Sequence, residues 1–389
     1  MVNNKCYIAS AGSGKTTLLV EEALQTAMQT KKKVAIVTYT SRNQEEITKK
    51  IFEKINHIPS NVVILGWYEF LIKYWIRPYK GDVLAELYDK PVSLYFDPTI
   101  TDYTRNKKNA YISRYKKGDI KNKYFSKGYK LYSNYVSDFA LLCYNKNKSN
   151  LTERIYLIFE HLYFDEAQDF VGYDFEIIKL LIRGSIDCTF ALDPRQHTFS
   201  TAITRKYNDF CGKLDVYIQE KVNTKKTQYV DFDYLKLTHS HRCNDAICEL
   251  ASKIDGVYSP TTPCQCPECL AIRNAYQQEQ GVFWVRETDI NKFISCYQAT
   301  TLRWNNKTEL GQHNHIDIMN YGESKGLTLD ACLIIPTNPF LKCLKTGVFN
   351  ITGTSQAKIY VAVTRARFAV GIIVPSNWTS TMQIPFWNP

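Results

Sequence analysis

The segment Ala9-Ser10-Ala11-Gly12-Ser13-Gly14-Lys15-Thr16-Thr17 holds the residues best suited to phosphate chemistry. Its glycines let the backbone turn N–H groups toward an anion. A helix opening at the lysine adds the partial positive charge of its N-terminus. A lysine here reaches the outer phosphates of a nucleotide and a following hydroxyl ligates magnesium, the roles expected of Lys15 and Thr16. A second constellation, His161-Leu162-Tyr163-Phe164-Asp165-Glu166-Ala167-Gln168-Asp169, puts acids at the end of an apolar run. At the C-terminal edge of a parallel sheet such acids sit beside a phosphate loop. Asp165 is then a magnesium ligand, and Glu166 orients and deprotonates an attacking water. Alone, an Asp-Glu pair after a strand is often just a helix cap. Its pairing with the phosphate loop gives it chemical weight.

These groups need a scaffold, and the chain supplies the pattern of one. Cys6 to Ala9 reads as a strand and Lys15 to Gln29 as a helix. Val34 to Tyr39 is a continuous apolar run typical of a buried parallel strand, Gln44 to Ile55 a helix, and Val62 to Leu65 a strand. From Trp67 to Asn150 longer Lys- and Tyr-rich helical stretches intervene, with Lys146 to Asn150 read as a loop. Alternation then resumes with Ile155 to Phe164, a helix near Phe175 to Arg183 and a strand at Thr189 to Leu192. A further α/β unit is expected around strands near Val282 to Val285, Ala331 to Ile335 and Val370 to Val374. Alternation of this kind predicts an α/β fold of doubly wound parallel sheets with a helical insertion in the first.

With four further segments, the two motifs resemble the superfamily 1 helicases, most closely the UvrD/Rep group. Val37-Thr38-Tyr39-Thr40-Ser41-Arg42 followed by Glu45-Glu46-Ile47 is similar to that family's second motif, and Leu192-Asp193-Pro194-Arg195-Gln196 to its third. Leu237-Thr238-His239-Ser240-His241-Arg242 resembles the fourth motif, and Gly322-Glu323-Ser324-Lys325-Gly326-Leu327-Thr328-Leu329-Asp330 the fifth. Tyr360-Val361-Ala362-Val363-Thr364-Arg365-Ala366-Arg367 resembles the sixth. The order holds across nearly the whole chain.

The resemblance implies two RecA-like P-loop NTPase domains with ATP and magnesium held at the cleft between them. The first domain is expected at 1–66 and 151–205, a basic accessory insertion at 67–150, and the second at 206–389 with a reduced insertion around 255–315. It also implies that Gln196 senses the γ-phosphate, that Arg242 and Arg365 stabilise charge developing on it, and that His241, Lys325 and Gly326 contact the nucleotide. Single-stranded DNA is the implied track, touched by Thr38, Tyr39, Thr40, Phe199 and Ser324, with RNA as the alternative. Movement from 3′ to 5′ follows from the family alone. The chain departs from the pattern where His241 stands for a base-stacking tyrosine, Gly66-Trp67-Tyr68-Glu69-Phe70 for a threonine–histidine pattern, Thr201 for a DNA-stacking tryptophan, and Thr328 for a glutamate. A small-molecule P-loop kinase would explain the first motif but not Gln196, Arg242 or the sixth. A regulatory ATPase that clamps on nucleic acid without stepping is the remaining alternative.

The formal charge is +11. Between Arg105 and Lys148 twelve Lys or Arg face two acids, and this stretch holds most of the excess. It also carries Tyr111, Tyr115, Tyr124, Phe125, Tyr129, Tyr132, Tyr135 and Tyr144. Cations interleaved with rings suit a single strand, whose phosphates need charge and whose bases need flat faces. A solvated basic face over a tyrosine core accounts for the same composition. No apolar run is long enough to span a bilayer, and the early phosphate loop leaves no place for a signal peptide, so a soluble intracellular protein is expected. Of twelve cysteines, Cys264, Cys266 and Cys269 cluster. They could bind zinc with a fourth ligand from His239, Cys243, Cys248 or His313. The C-x-C spacing is unusual for zinc and argues for a loop of reduced thiols.

Overall fold

The computed structural model describes residues 3–97, 99–105, 111–198, 206–308 and 318–389. Phe199, Thr201 and His313 fall outside them. The chain divides into two units. The first comprises Met1–Cys6, Thr16–Ala191 and Ser200–Phe232, and the second Tyr7–Lys15, Leu192–Phe199 and Asp233–Pro389.

In the first unit the apolar runs become parallel strands. Lys33–Thr38 pairs with Val62–Gly66 on one side and Phe159–Phe164 on the other, and the latter pairs with Asp187–Leu192. The six-stranded order is Val230–Leu237, Asn4–Ala9, Asp187–Leu192, Phe159–Phe164, Lys33–Thr38, Val62–Gly66. Val34, Ala35 and Ile36 have no exposed surface, as expected of a strand covered on both faces. The helix Lys15–Gln29 buries Leu19, Val20, Ala23, Leu24 and Ala27, a stripe at helical spacing. The helix Ser41–Ile55 starts where the Thr40 side chain accepts from Asn43 N–H, and it ends at Asn56 in the left-handed region.

The stretch from Trp67 to Ile158 is mixed rather than purely helical. A π-helical segment Leu71–Ile76 is followed by two small sheets, Leu94–Tyr95 with Leu131–Tyr132 and Tyr103–Arg105 with Tyr111–Ser113. A long helix, Val136–Ile158, closes it. The loop expected at Lys146 to Asn150 is instead a kink in that helix, where Lys148 alone leaves helical geometry. The strand expected from Ile155 begins only at Phe159, because the preceding residues finish the helix.

Most rings of the basic segment face inward. Tyr124, Phe125 and Tyr135 are buried, and Tyr124 and Phe125 pack against Phe139. The Tyr124 hydroxyl donates to Asp138 (2.9 Å), and the Tyr115 and Tyr135 hydroxyls donate to Asp102 (2.5 and 2.7 Å). Of the eight rings named from the sequence, only Tyr111 is exposed, while Lys116, Lys117, Lys127, Lys130, Lys146 and Lys148 all face solvent. Three of the eight rings therefore belong to a core beneath the basic face, and four more are half-buried.

The second unit is built on five strands in the order Gly281–Arg286, Ala366–Val374, Leu329–Ile334, Thr300–Arg303, Ile318–Asn320, every pair parallel. Its core joins Val282, Trp284, Cys332, Ile334, Val370 and Ile372 with Ile247 and Ala251 of the helix Asp245–Ile254 and Tyr360 of the helix Gly353–Val363. The chain's last residues return to this sheet, where Trp387 N–H donates to Trp284 O (2.9 Å) and its ring packs on Phe293. The protein is thus a mixed α/β fold with parallel sheets. No helix among the described residues is long and apolar enough to cross a membrane.

Candidate active site

The strand Asn4–Ala9 runs into the phosphate loop, and the loop into the helix beginning at Lys15. Gly12 and Gly14 have φ of 72° and 86°, in the left-handed region that glycine enters without strain. At Gly12 space is also exhausted: a Cβ there would lie 2.7 Å from Arg242 Cβ and 2.9 Å from Ser240 Oγ. Ala9, Ser10, Ala11, Ser13 and Lys15 are buried, while Thr16 and Thr17 are partly open. The Ser13 hydroxyl is buried with no hydrogen-bond partner among the described residues, which leaves it able to donate to an acceptor brought to the loop.

The acids are arranged within the first unit. Asp165, 3% exposed, follows the strand Phe159–Phe164, and its N–H donates to Val37 O at 2.9 Å. Thr16 Oγ1 donates to Asp165 Oδ2 at 2.8 Å, so the two oxygens proposed for one cation are already side by side. Glu166 N–H donates to Asp165 Oδ1 (3.0 Å), and Gln168 Nε2 donates to Glu166 Oε2. Glu166 itself holds φ 54°, an unusual backbone for a non-glycine residue. Such strain costs roughly 1–2 kcal/mol and persists where the surroundings dictate it.

Within the second unit a hydrogen-bond chain leads from the phosphate loop to the last arginine. Arg195, 4% exposed, donates from Nη2 to Ala9 O (2.8 Å) and Ser10 Oγ (3.0 Å), and from Nε to Asp193 Oδ1 (2.9 Å). The other Asp193 oxygen accepts from Gln196 Nε2 (2.8 Å), and Gln196 Oε1 accepts from Arg365 Nη2 (3.2 Å). Arg365 also donates to Val361 O and Leu327 O, and it is 1% exposed. Arg242 donates to Thr364 O and to Thr328 Oγ1, both at 3.1 Å. The threonine that departs from the resembled fifth motif therefore orients an arginine.

Two more groups brace the loop. The Tyr360 hydroxyl accepts from Ala11 N–H (3.3 Å), and burial pushes that hydroxyl's pKa up, so it stays protonated. His241 N–H donates to Gly12 O at 2.9 Å. Its Cδ2 and Nε2 lie 3.8 and 3.9 Å from where a Cβ on Gly14 would sit. Lys325 is partly buried, and Gly326 takes φ 83° in the turn after it.

Of the residues expected to meet nucleic acid, Thr38, Tyr39, Thr40 and Ser324 have internal roles. Thr38 is buried and its Oγ1 accepts from Asn43 Nδ2 (3.1 Å), while Thr40 caps the following helix. The Tyr39 hydroxyl donates to Asp174 Oδ2 at 2.7 Å. Asp174 is a buried hub that also accepts from Trp67 Nε1 (2.8 Å), Ser137 Oγ and Val171 N–H (3.1 Å). Burial raises its pKa and the donors pull it back, with burial winning. Ser324 is fully buried and donates to Tyr321 O at 2.7 Å. Phe199 lies outside the described residues.

No protein-family model and no curated protein sequence matches the chain. Among solved structures, similarity is found to an arterivirus nonstructural protein 10 helicase in complex with DNA, with TM-score 0.47 and 14% identity. A crystal structure of arterivirus nonstructural protein 10 (helicase) gives TM-score 0.44 and 13% identity, and the helicase of PRRSV gives 0.45 and 13%. The alignments cover 96% of this chain but only 61%, 60% and 53% of those chains, so it spans little more than half of their length.

Sequence reasoning gave Arg195 and Tyr360 no role of their own and took Thr328 only as a departure from the fifth motif. Arg195 stands beside the glutamine that carries the third motif, and only the fold brings it to Ala9 and Ser10. Tyr360 opens the sixth motif, where its hydroxyl has no partner nearby in sequence.

Proposed function

We propose that the chain is an NTP-driven motor of the superfamily 1 helicase type, close to the UvrD/Rep group, that translocates along single-stranded DNA and unwinds duplex. The observation that carries this reading is the hydrogen-bond chain from Ala9 and Ser10 through Arg195, Asp193 and Gln196 to Arg365. A protein that only bound a nucleotide, or a small-molecule kinase, has no need of a glutamine and an arginine wired to its phosphate loop. A motor needs them to sense whether the γ-phosphate is present.

In this proposal the loop N–H groups and Lys15 hold the phosphates of ATP. Magnesium, when bound, is held by Thr16 and Asp165 and neutralises phosphate charge. Glu166 orients the attacking water and takes its proton, and bond cleavage releases ADP and phosphate. Arg365 and Arg242 offset the charge that builds on the transferring group, the largest contribution such sites make. Gln196 reports the outcome, and a changed grip on the strand turns hydrolysis into stepping.

The inward-facing rings of the basic segment favour a second reading, in which the exposed lysines hold phosphates and the ATPase clamps without stepping. Displacement of streptavidin from biotin at one end of a DNA strand separates the two. A motor clears it in an ATP-dependent way from one end only. A clamp leaves it in place at both ends.

A further inference from the structure

Cys264, Cys266 and Cys269 are brought together with a histidine by a short parallel pairing. His239 lies opposite Thr262 and Ser240 opposite Pro263, and Cys264 N–H extends the pairing by donating to Ser240 O (2.8 Å). This sets the residue after Ser240 beside the thiols. Cys266 then caps the helix Pro267–Ala275, and Cys269 lies in its first turn. The three sulfurs and a ring nitrogen of His241 all fall within 4.8 Å of one another, and Cys269 Sγ is 3.4 Å from His241 Nδ1.

We propose that these four side chains form a structural zinc site, with three thiolates and His241 Nδ1 as ligands. Zinc at ~2.3 Å from sulfur and ~2.0 Å from nitrogen sets tetrahedral edges of about 3.5–3.8 Å. The Cys269 Sγ–His241 Nδ1 distance of 3.4 Å is already close to this, and the rest of the cluster has to tighten from a spread of at most 4.8 Å. Four protein ligands leave no open position, which is the signature of a structural ion rather than a catalytic one. Three thiolates and a dication carry one net negative charge. Arg273, 9% exposed, sits against it, donating to Cys264 O (2.7 Å), Cys243 O (3.2 Å) and Ser240 O (3.4 Å). The none-too-regular spacing of the thiols is accommodated because the histidine enters from a different segment, just after the strand His239–Ser240.

The site bears on the phosphate loop through one ring. A metal on Nδ1 fixes the proton on Nε2 and locks the ring orientation. That Nε2 edge faces Gly14, and the His241 main chain holds Gly12. His241 is thereby a fixed N–H donor beside the loop, not a ring free to stack on a base. The metal site does not depend on the motor reading, since its occupancy is read without nucleotide.

The test is metal analysis of the full chain purified under reducing conditions. One zinc per chain is expected, lost in Cys264→Ser, Cys266→Ser and Cys269→Ser, and retained in Cys296→Ser, whose thiol is exposed and outside the cluster. Because the variants could fail by misfolding, cobalt is also titrated into the wild-type chain after zinc removal. A tetrahedral thiolate-ligated spectrum saturating at one equivalent, bleached by zinc and altered in His241→Ala, supports the site. Metal-free wild-type protein with no such spectrum overturns it, as does zinc retained in all three serine variants or a disulfide among the three cysteines.

Discussion

Arg365 Nη2 lies 3.2 Å from Gln196 Oε1, and the other end of that glutamine amide is held by Asp193. The pairing fixes which end of Gln196 is acceptor and which is donor. It also ties the sixth motif to the third within one unit. Gln196→Ala removes the proposed sensor and frees the guanidinium, while leaving the phosphate loop intact. The expected result is a fall of about 100-fold in kcat with little change in nucleotide KM, measured by steady-state hydrolysis. Equal losses in binding and turnover would assign Gln196 a merely structural role.

Gly12→Ala meets two obstacles, a left-handed backbone and a Cβ only 2.7 Å from Arg242 Cβ. The backbone alone costs about 1–2 kcal/mol, and the clash must be relieved by moving the loop or the arginine. Loss of nucleotide binding by a fluorescent analogue is expected, with a melting temperature lowered by a few degrees.

Arg195 is buried with Asp193, and it holds two loop residues besides. Arg195→Ala leaves the Asp193 carboxylate buried with its arginine partner gone, a loss of roughly 3–5 kcal/mol by the usual measure of broken buried pairs. Denaturant unfolding should show this as a lowered midpoint. An unchanged midpoint would mean that the pair adds nothing to stability.

His161 supplies a pH dependence. Its ring stacks on Tyr163 and bonds Thr189 Oγ1 (2.8 Å), and burial, opposed by Asp187 and aided by Lys5, pushes its pKa down to about 4. The unfolded chain therefore binds this proton more readily than the folded one. Stability from this group is complete above the ordinary histidine pKa near 6.5 and is lost as pH falls toward 4. The whole effect is at most about 3 kcal/mol, less whatever solvent screening removes. Comparing urea midpoints at about pH 7 and about pH 5 should give a smaller drop in His161→Gln than in the wild type.

The parallel strands and the phosphate loop were legible because buried strands need unbroken apolar runs, as in Val34 to Val37, and because the loop needs glycine at fixed places. The strand Val230–Leu237 was not, since it lies at the sheet edge and mixes Asp231, Asp233 and Lys236 among its apolar residues. Composition also could not say whether Tyr124 or Tyr135 faces solvent, because a tyrosine core and a stacking surface use the same rings. The sequence offers His239, Cys243, Cys248 and His313 as a fourth ligand beside Cys264, Cys266 and Cys269. His239 instead bonds Thr262 (2.8 Å), Cys243 and Cys248 donate to backbone oxygens, and His313 is outside the described residues. His241 is twenty-eight positions from Cys269, and only the pairing of two distant strands reveals it.

The central claim is tested most directly by ATP hydrolysis with and without single-stranded DNA or RNA, using Lys15→Ala and Glu166→Gln as controls. Strong stimulation by DNA, abolished in both variants, is the predicted result, and stimulation by RNA alone would name a different track. Hydrolysis indifferent to either polymer would contradict the motor and leave the basic segment as a solvated face.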